Sequence, residues 1–588
     1  MGKACFFLLY ILVVMGVIIK YGGVKNTAIF FPIISMILAY FGQIFFINKK
    51  KYYSTLLFFM LLFCSIFFII YNVKMSLPTK SKEYLIYMSY TMSLSSLFIV
   101  FISSLKWKRA IFSIVGLMII FLPVILLWGY YFTSGAWLSV ESCMAILQTN
   151  PSEAANYIED HLSYVAMLGF LIIVLSIIFI GKYTSCLILC DKNKKLKIMM
   201  AVFVILNIAF LYRTRENIVN NIIYDTKVYA ASYDNYLRTK EERQKLLQNI
   251  PGINSNTDKG IYVLVIGESE TRDHMGVYGY SRDTTPWLSS QNKNPNFIII
   301  DQAWSCASDT VSALTYALTA KNQYNNINLN EAYSLIDIAN AAGYDTVWLS
   351  NQVQYGLADT PITVIASSAK QQIWLHDKVG HLKDGRYLDM PEFYDGNLIP
   401  ELDKIKMSDR MLIVIHLMGS HNSYKVRYPE NYEVYDTSSS EISKEDKNTA
   451  EYDNSVRYTD YVLEEIYKKV KDVPEFKVMV YFSDHGEGID EHVGHDINRF
   501  NYQMTRIPMF FIMSNSYIDK HKGKYNVLLE RKESYFTNDL IFNTMIDMMD
   551  IHSNEIDEPN NILSEITYDK NPSRFKTLYG KYAVPLDK

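Results

Sequence analysis

The chain has 588 residues, 50% of them hydrophobic, with a formal net charge of -3. That length exceeds one ordinary domain, and the lack of a basic surplus excludes a nucleic-acid partner, because nothing is available to neutralise phosphates. The apolar residues are unevenly spread: nearly all the long runs precede Arg213, so the sequence divides into a membrane half and a soluble half.

Seven apolar runs, near 4–20, 27–47, 54–73, 84–105, 110–133, 163–181 and 197–212, are long enough to cross a hydrocarbon core as helices. Alternate loops differ in charge. One set carries Lys49, Lys50 and Lys51, then Lys106, Lys108 and Arg109, then Lys182, Lys192, Lys194, Lys195 and Lys197. The opposite set carries fewer cations, and none lies between 134 and 162. The positive-inside rule places the first set and the N-terminus in the cytoplasm. An odd number of spans then delivers everything after residue 213 to the far side. The first run lacks a small-residue cleavage site and more spans follow it, which predicts a retained anchor.

The loop at 134–162 predicts a helix over Val140–Leu147, a break, and a second helix with Asn150 as cap and Pro151 in its first turn. Such helices can lie at a bilayer surface. Cys143 and Cys306 are the only cysteines on the predicted far side, and two reduced thiols are expected there.

Residues 213–255 are polar and helix-prone and read as a connector. From 256 to 588 the pattern is that of a soluble α/β domain. Short apolar runs recur at Ile261–Ile266, Phe297–Ile300, Thr346–Leu349, Met411–Ile415 and Val478–Phe482, with helical stretches between them. That alternation predicts a largely parallel sheet covered on both faces. Ligands bind beyond the carboxyl ends of such strands, and three of these ends carry chemistry. The first ends in Glu268. The fourth runs into His416-Leu417-Met418-Gly419-Ser420-His421. The fifth ends in Ser483-Asp484-His485-Gly486-Glu487, with His492 and His495 just beyond.

Singly, each residue has a simpler role: Glu268 or Asp484 capping a helix, His485 bonded in a core. Together, carboxylates and imidazoles at one sheet edge point to a borderline cation such as zinc. The segment Ser305–Ser312 follows the second strand and opens a predicted helix, whose N–H groups would face an anion. A hydroxyl there beside zinc would have a lowered pKa and serve as a nucleophile for phosphoryl or sulfuryl transfer. Spacing leaves Ser305, Ser308, Thr310 and Ser312 open as that nucleophile.

At these residues the chain resembles the bacterial phosphoethanolamine transferases of the alkaline phosphatase superfamily, with the branch that modifies lipopolysaccharide core heptose the nearer. The motifs are Val265–Ser269, Tyr278–Pro286, His416–His421 through Arg427–Glu430, Tyr481–Glu487 and, in the membrane loop, Gln148–Ala154. They stand in the expected order from about 110 to 515. The resemblance implies a multi-span membrane domain followed by a sulfatase-like catalytic domain in the periplasm of a Gram-negative inner membrane. It implies zinc on Glu268, Thr310, Asp484 and His485, with Thr310 as nucleophile, four residues after Cys306. His421 and His495 would bind the phosphoryl group or a second zinc, or relay protons, with His492 competing for the second role. Thr149, Asn150 and Glu153 would line a lipid-side pocket. The implied reaction moves phosphoethanolamine from phosphatidylethanolamine through phosphothreonine to lipopolysaccharide, on core heptose or lipid A. Added amines would lower surface negative charge and weaken cationic peptide binding.

Two departures stand out. The cysteine ten residues beyond Cys306 is replaced by Tyr316, and two apolar runs within 1–73 precede the family's usual five spans. Three rival readings remain. Transfer of another headgroup such as phosphoglycerol is one. A phosphodiesterase or sulfatase is a second, although Cys306-Ala307-Ser308-Asp309 lacks the Pro- and Arg-containing sulfatase motif. A catalytically inactive membrane scaffold is the third; it would purify without zinc.

Overall fold

The computed structural model describes residues 2–21, 29–72, 81–135, 137–138, 140–148, 164–190, 193–247, 253–255, 259–353, 361–376, 394–437, 443–552, 558–564 and 568–586. The chain divides into two compact units. The first ends at Val228 and the second begins at Tyr229, with residues 144–148 going with the second. The division falls within helix Ile218–Arg238, inside the stretch expected to act as connector.

Five helices of the first unit are long and apolar enough to cross a membrane: Lys49–Ile69, Lys82–Ser104, Arg109–Ser134, Met167–Ser185 and Lys194–Arg213. The two preceding apolar stretches form helices Gly2–Tyr21 and Phe30–Gly42. Their outward faces carry bare Leu, Ile and Phe, as a lipid-facing surface requires. Helix Val140–Gln148 forms where the loop reading placed it. The second predicted loop helix lies outside the described residues, as do Thr149, Asn150 and Glu153.

The second unit is built on a seven-stranded sheet. In chain order its strands are β1 (Gly260–Gly267), β2 (Phe297–Ile299), β3 (Asp345–Val353), β4 (Gln371–His376), β5 (Arg410–His416), β6 (Phe476–Ser483) and β7 (Met509–Met513). Their spatial order is β2-β7-β6-β1-β5-β3-β4. Strands β6, β1, β5, β3 and β4 are parallel, whereas β7 runs antiparallel to both β6 and β2. β1 is central and buried along its whole length, which is why Ile261–Ile266 is apolar without alternation. At the edge, β4 keeps Gln371 and Gln372 exposed.

Register positions the functional residues. Gly267 pairs with Ser483 and Ile266 with His416, so Glu268 emerges level with Asp484 and beside the turn that follows β5.

Candidate active site

Ser269 sits directly after Glu268 in the left-handed region, with φ 56°. A non-glycine residue holds that conformation only where its surroundings compel it. Here the Ser269 N–H donates to Asp484 Oδ1 at 3.1 Å and its hydroxyl to Glu268 Oε1 at 3.0 Å. Tyr452, on helix α2 (Lys444–Val470), closes the turn by donating to the Ser269 carbonyl at 2.8 Å. On the other flank, the Ser420 N–H donates to the Glu268 carbonyl at 2.9 Å. Gly419 passes so close, at φ 51°, that a Cβ there would lie 2.6 Å from the Glu268 carbonyl oxygen. Buried Asp395 anchors this turn by accepting the N–H groups of Met418 and Gly419, each at 2.8 Å.

The hydroxyl segment resolves into distinct roles. Helix α1 (Thr310–Ala317) is capped by Asp309, which accepts the Ser312 N–H at 2.9 Å. Thr310 therefore opens the helix. Its Oγ1 lies 3.1 and 3.0 Å from the two Glu268 carboxylate oxygens and 3.4 Å from His485 Nε2. Ser305 instead donates to the Asp484 carbonyl at 2.6 Å. Ser308 and Ser312 are buried, and no bond links either hydroxyl to the carboxylates among the described residues.

Glu268, Asp484 and His485 each offer a donor atom within 4.8 Å of the others, and all three are buried. The His485 Nδ1 is held by the Gly486 carbonyl at 2.8 Å, which turns Nε2 toward Glu268 Oε1, 3.2 Å away. Asp484 Oδ2 is buried with no hydrogen-bond partner among the described residues. Two carboxylates, an imidazole, a hydroxyl and one orphaned oxygen fit a zinc ion better than a closed hydrogen-bond network.

The protonation pattern agrees. Burial opposes ionisation of Glu268, but the hydrogen bond and charge of His485 outweigh it and hold that carboxyl below its usual range. Burial, followed by the Glu268 charge, pushes Asp484 well up. His485 loses by burial, yet Asp484 and Glu268 push it up to about 10. A divalent cation binding here would displace the protons that Asp484 and His485 hold.

A second donor group, His485, Glu487 and His495, adjoins the first. His495 Nδ1 bonds Glu487 Oε2 at 2.8 Å, and Tyr424 donates to Glu487 Oε1 at 2.7 Å. The His495 ring centre is 4.8 Å from that of His485 and 6.4 Å from that of His421. Burial lowers His421 to about 4. His495 is raised, because the Glu487 charge and hydrogen bond outweigh burial. His492 is exposed and belongs to neither group. His416 is a core histidine, edge-on to Trp348 at 5.8 Å and lowered to about 4 by burial.

Sequence reasoning gave Glu487 no role of its own and passed over Tyr424, Asp395 and Asp453. Only Glu487 carried a signal, two residues after His485 in the same strand-end motif. Asp453 is fully buried and gathers His274 Nδ1 at 2.7 Å, Tyr280 at 2.9 Å and Arg282 at 2.7 Å. The Tyr278–Pro286 motif is therefore held by a carboxylate far along the chain.

Comparison with known proteins places this geometry. Residues 261–551 match the sulfatase family, so the second unit carries a sulfatase domain. The phosphoethanolamine transferase EptC of Escherichia coli K12 is 30% identical over 293 residues, 48% of this chain and 49% of that protein. The phosphoethanolamine transferase OpgE of the same strain is 32% identical over 265 residues, 43% of this chain and 45% of that protein. The chain thus spans about half the length of the curated relatives it matches. The solved structure of the integral membrane lipooligosaccharide phosphoethanolamine transferase A from Neisseria meningitidis aligns with a TM-score of 0.56 and 20% identity. It covers 87% of this chain and 97% of that one, a likeness of fold.

Proposed function

We propose that this sulfatase-domain chain is a zinc-dependent phosphoethanolamine transferase, spanning a bacterial inner membrane with its catalytic domain in the periplasm. It takes phosphoethanolamine from phosphatidylethanolamine and passes it, through Thr310, to lipopolysaccharide on core heptose or lipid A. The observation that carries this reading is the Thr310 hydroxyl, set at a helix N-terminus within 3.4 Å of both Glu268 and His485. The names of the relatives and the cation-rich loops of one membrane side support it further.

Glu268, Asp484, His485 and Thr310 would hold the zinc. When bound, zinc supplies a Lewis acid that stabilises charge on the hydroxyl and on the transferring phosphoryl oxygens. The N–H groups of Thr310 and Val311, which open α1, would face the same oxygens. Thr310 Oγ1 forms a bond to phosphorus as the bond from phosphorus to the diacylglycerol oxygen breaks. The threonine proton passes through His421 and His495 to the departing diacylglycerol oxygen. A sugar hydroxyl or a phosphate oxygen of lipopolysaccharide then attacks the phosphothreonine, a proton returns to Thr310, and the threonine is free again. Glu487 and Tyr424 keep the His495 ring aimed during both steps.

The test is to incubate zinc-loaded protein with phosphatidylethanolamine and weigh the Thr310 peptide, with Thr310→Ala as control. A phosphoethanolamine adduct on Thr310 that is lost in the variant is expected. Free phosphoethanolamine without an adduct would replace the reading with a hydrolase, and zinc-loaded protein that leaves the lipid intact would overturn the donor.

A further inference from the structure

The C-terminal hairpin, with strands Lys576–Thr577 and Tyr582–Ala583, lies against the segment that presents Thr310. Its turn has three successive residues in the left-handed region: Leu578 at φ 49°, Tyr579 at 58° and Gly580 at 81°. Hairpin turns need positive φ, but glycine and asparagine supply it at little cost, whereas leucine and tyrosine do not. A turn that keeps Leu578 and Tyr579 in this conformation retains them for what their side chains and N–H groups touch.

Those contacts converge on one target. Leu578 is buried. The Thr577 hydroxyl donates to the Ser305 carbonyl at 2.7 Å, and the Tyr579 N–H donates to the Cys306 carbonyl at 3.0 Å. The Tyr579 hydroxyl reaches Asp309 Oδ2 at 3.4 Å, while the other oxygen of that carboxylate caps α1. The Tyr579 ring meets Tyr316 of α1 edge-on, with centres 5.9 Å apart. Beneath these rings Cys306, Ala307 and Ala313 form a small buried cluster. Gln323 fixes the hairpin from behind, accepting the Gly580 N–H at 2.7 Å and donating to the Lys576 carbonyl at 3.0 Å.

We propose that this hairpin is a strap that positions the nucleophile, with Tyr579 as a positioning residue acting through Asp309 and Tyr316 on Thr310. The inference rests on the proposed role of Thr310. Cys306 carries no disulfide; the Ser305 and Cys306 N–H groups donate to the Thr505 carbonyl and Asn538 Oδ1, and the strap adds the restraint on the carbonyl side of the same residues. Tyr579 is not one of the donors of either group, so its effect should fall on the orientation of Thr310.

The experiment uses the full zinc-loaded chain and the variants Tyr579→Ala, Tyr579→Phe and Thr577→Val. It reads the rate of Thr310 adduct formation from phosphatidylethanolamine, the lipid concentration at half-maximal rate, the zinc content, and the rate at which a thiol reagent labels Cys306. With Tyr579→Ala the saturated adduct rate should fall by at least about tenfold, since small misplacements of reacting groups cost this much. The half-maximal lipid concentration and zinc content should stay at wild-type values. Cys306 labelling should accelerate by about tenfold as the cover opens. Tyr579→Phe keeps the ring and loses one hydrogen bond, so about a threefold loss of rate is expected; it and Thr577→Val carry the test if the alanine variant does not fold. Wild-type adduct rates in the folded variants would overturn the strap, whatever happens to the labelling. If the wild-type chain forms no adduct, the functional reading falls by itself. Unchanged Cys306 labelling in every variant would then sink the strap as well.

Discussion

In the membrane unit several hydrogen-bonding side chains link one helical segment to another. Ser93 donates to Asn207 Oδ1 at 2.7 Å, Tyr53 to Gln43 Oε1 at 3.0 Å, and Trp128 to Ser65 Oγ at 2.7 Å. Ile119 and Ile205 face outward, 68% and 64% exposed. In the sulfatase domain the order is inverted: apolar strands fill the interior, and the polar groups crowd one edge of the sheet at Glu268, Asp484 and His485. In the first unit such groups hold helices together in a medium that gives apolar contacts no advantage. In the second they gather at the candidate site, and one of them, Asp484 Oδ2, has no hydrogen-bond partner among the described residues. The same residue types therefore answer to different demands, and substitutions should separate those demands.

The largest contrast is expected at Thr310. Thr310→Ala should lower transfer on the order of 10⁴-fold, as loss of a nucleophile does, while the melting temperature stays at the wild-type value. An active variant with a lowered melting temperature would make Thr310 a structural group like Ser93. Next comes Asp484→Asn. Because Asp484 is pushed well up without metal, asparagine imitates its protonated form and the metal-free fold should tolerate it. Zinc affinity, read by calorimetry, should fall by more than about 100-fold.

A smaller effect concerns pH. Burial lifts the Glu270 carboxyl to about 7 from its ordinary 4.5. The unfolded chain then loses this proton first, so stability falls as pH rises from about 4.5 to 7, by up to about 3 kcal/mol. Asp460, lifted to about 7 by burial, contributes with the same sign. Thermal melts of chelated protein at pH 5 and pH 8 should show the higher stability at pH 5, and Glu270→Gln should flatten the difference. Greater stability at pH 8 would mean that the buried histidines His416 and His421, lowered to about 4, dominate, because the unfolded chain holds their protons to higher pH. The smallest effect lies in the membrane unit. Asn207→Leu removes one interhelical bond and should cost only about 0.6 kcal/mol, leaving zinc affinity unchanged.

Much of this was legible in the sequence for a physical reason. A strand covered on both faces must be apolar at every position, so β1, β5 and β6 read as unbroken runs, and their polar ends marked the site edge. β4 escaped because an edge strand is free to carry Gln371 and Gln372 on its exposed part. The run Met509–Met513 is as apolar as its neighbours, but composition holds no record that β7 is antiparallel. Within Ser305–Ser312 spacing offered four hydroxyls, and only the fold assigns Ser305 to the Asp484 carbonyl and Thr310 to the Glu268 carboxylate. Tyr424, Asp395 and Asp453 act across long sequence separations, where no local pattern reports them.

The central place of β1 also bears on how the domain is made. Its partners β5 and β6 begin at Arg410 and Phe476, so a strand made early waits for roughly 200 further residues, about 10–40 s at ordinary synthesis rates. Until Arg410–His416 emerges Ile261–Ile266 is an unpaired apolar segment, and it keeps one open edge until Phe476–Ser483 follows. The growing chain must therefore depend on sequestration until Ser483 has emerged, and the sheet closes late and nearly all at once.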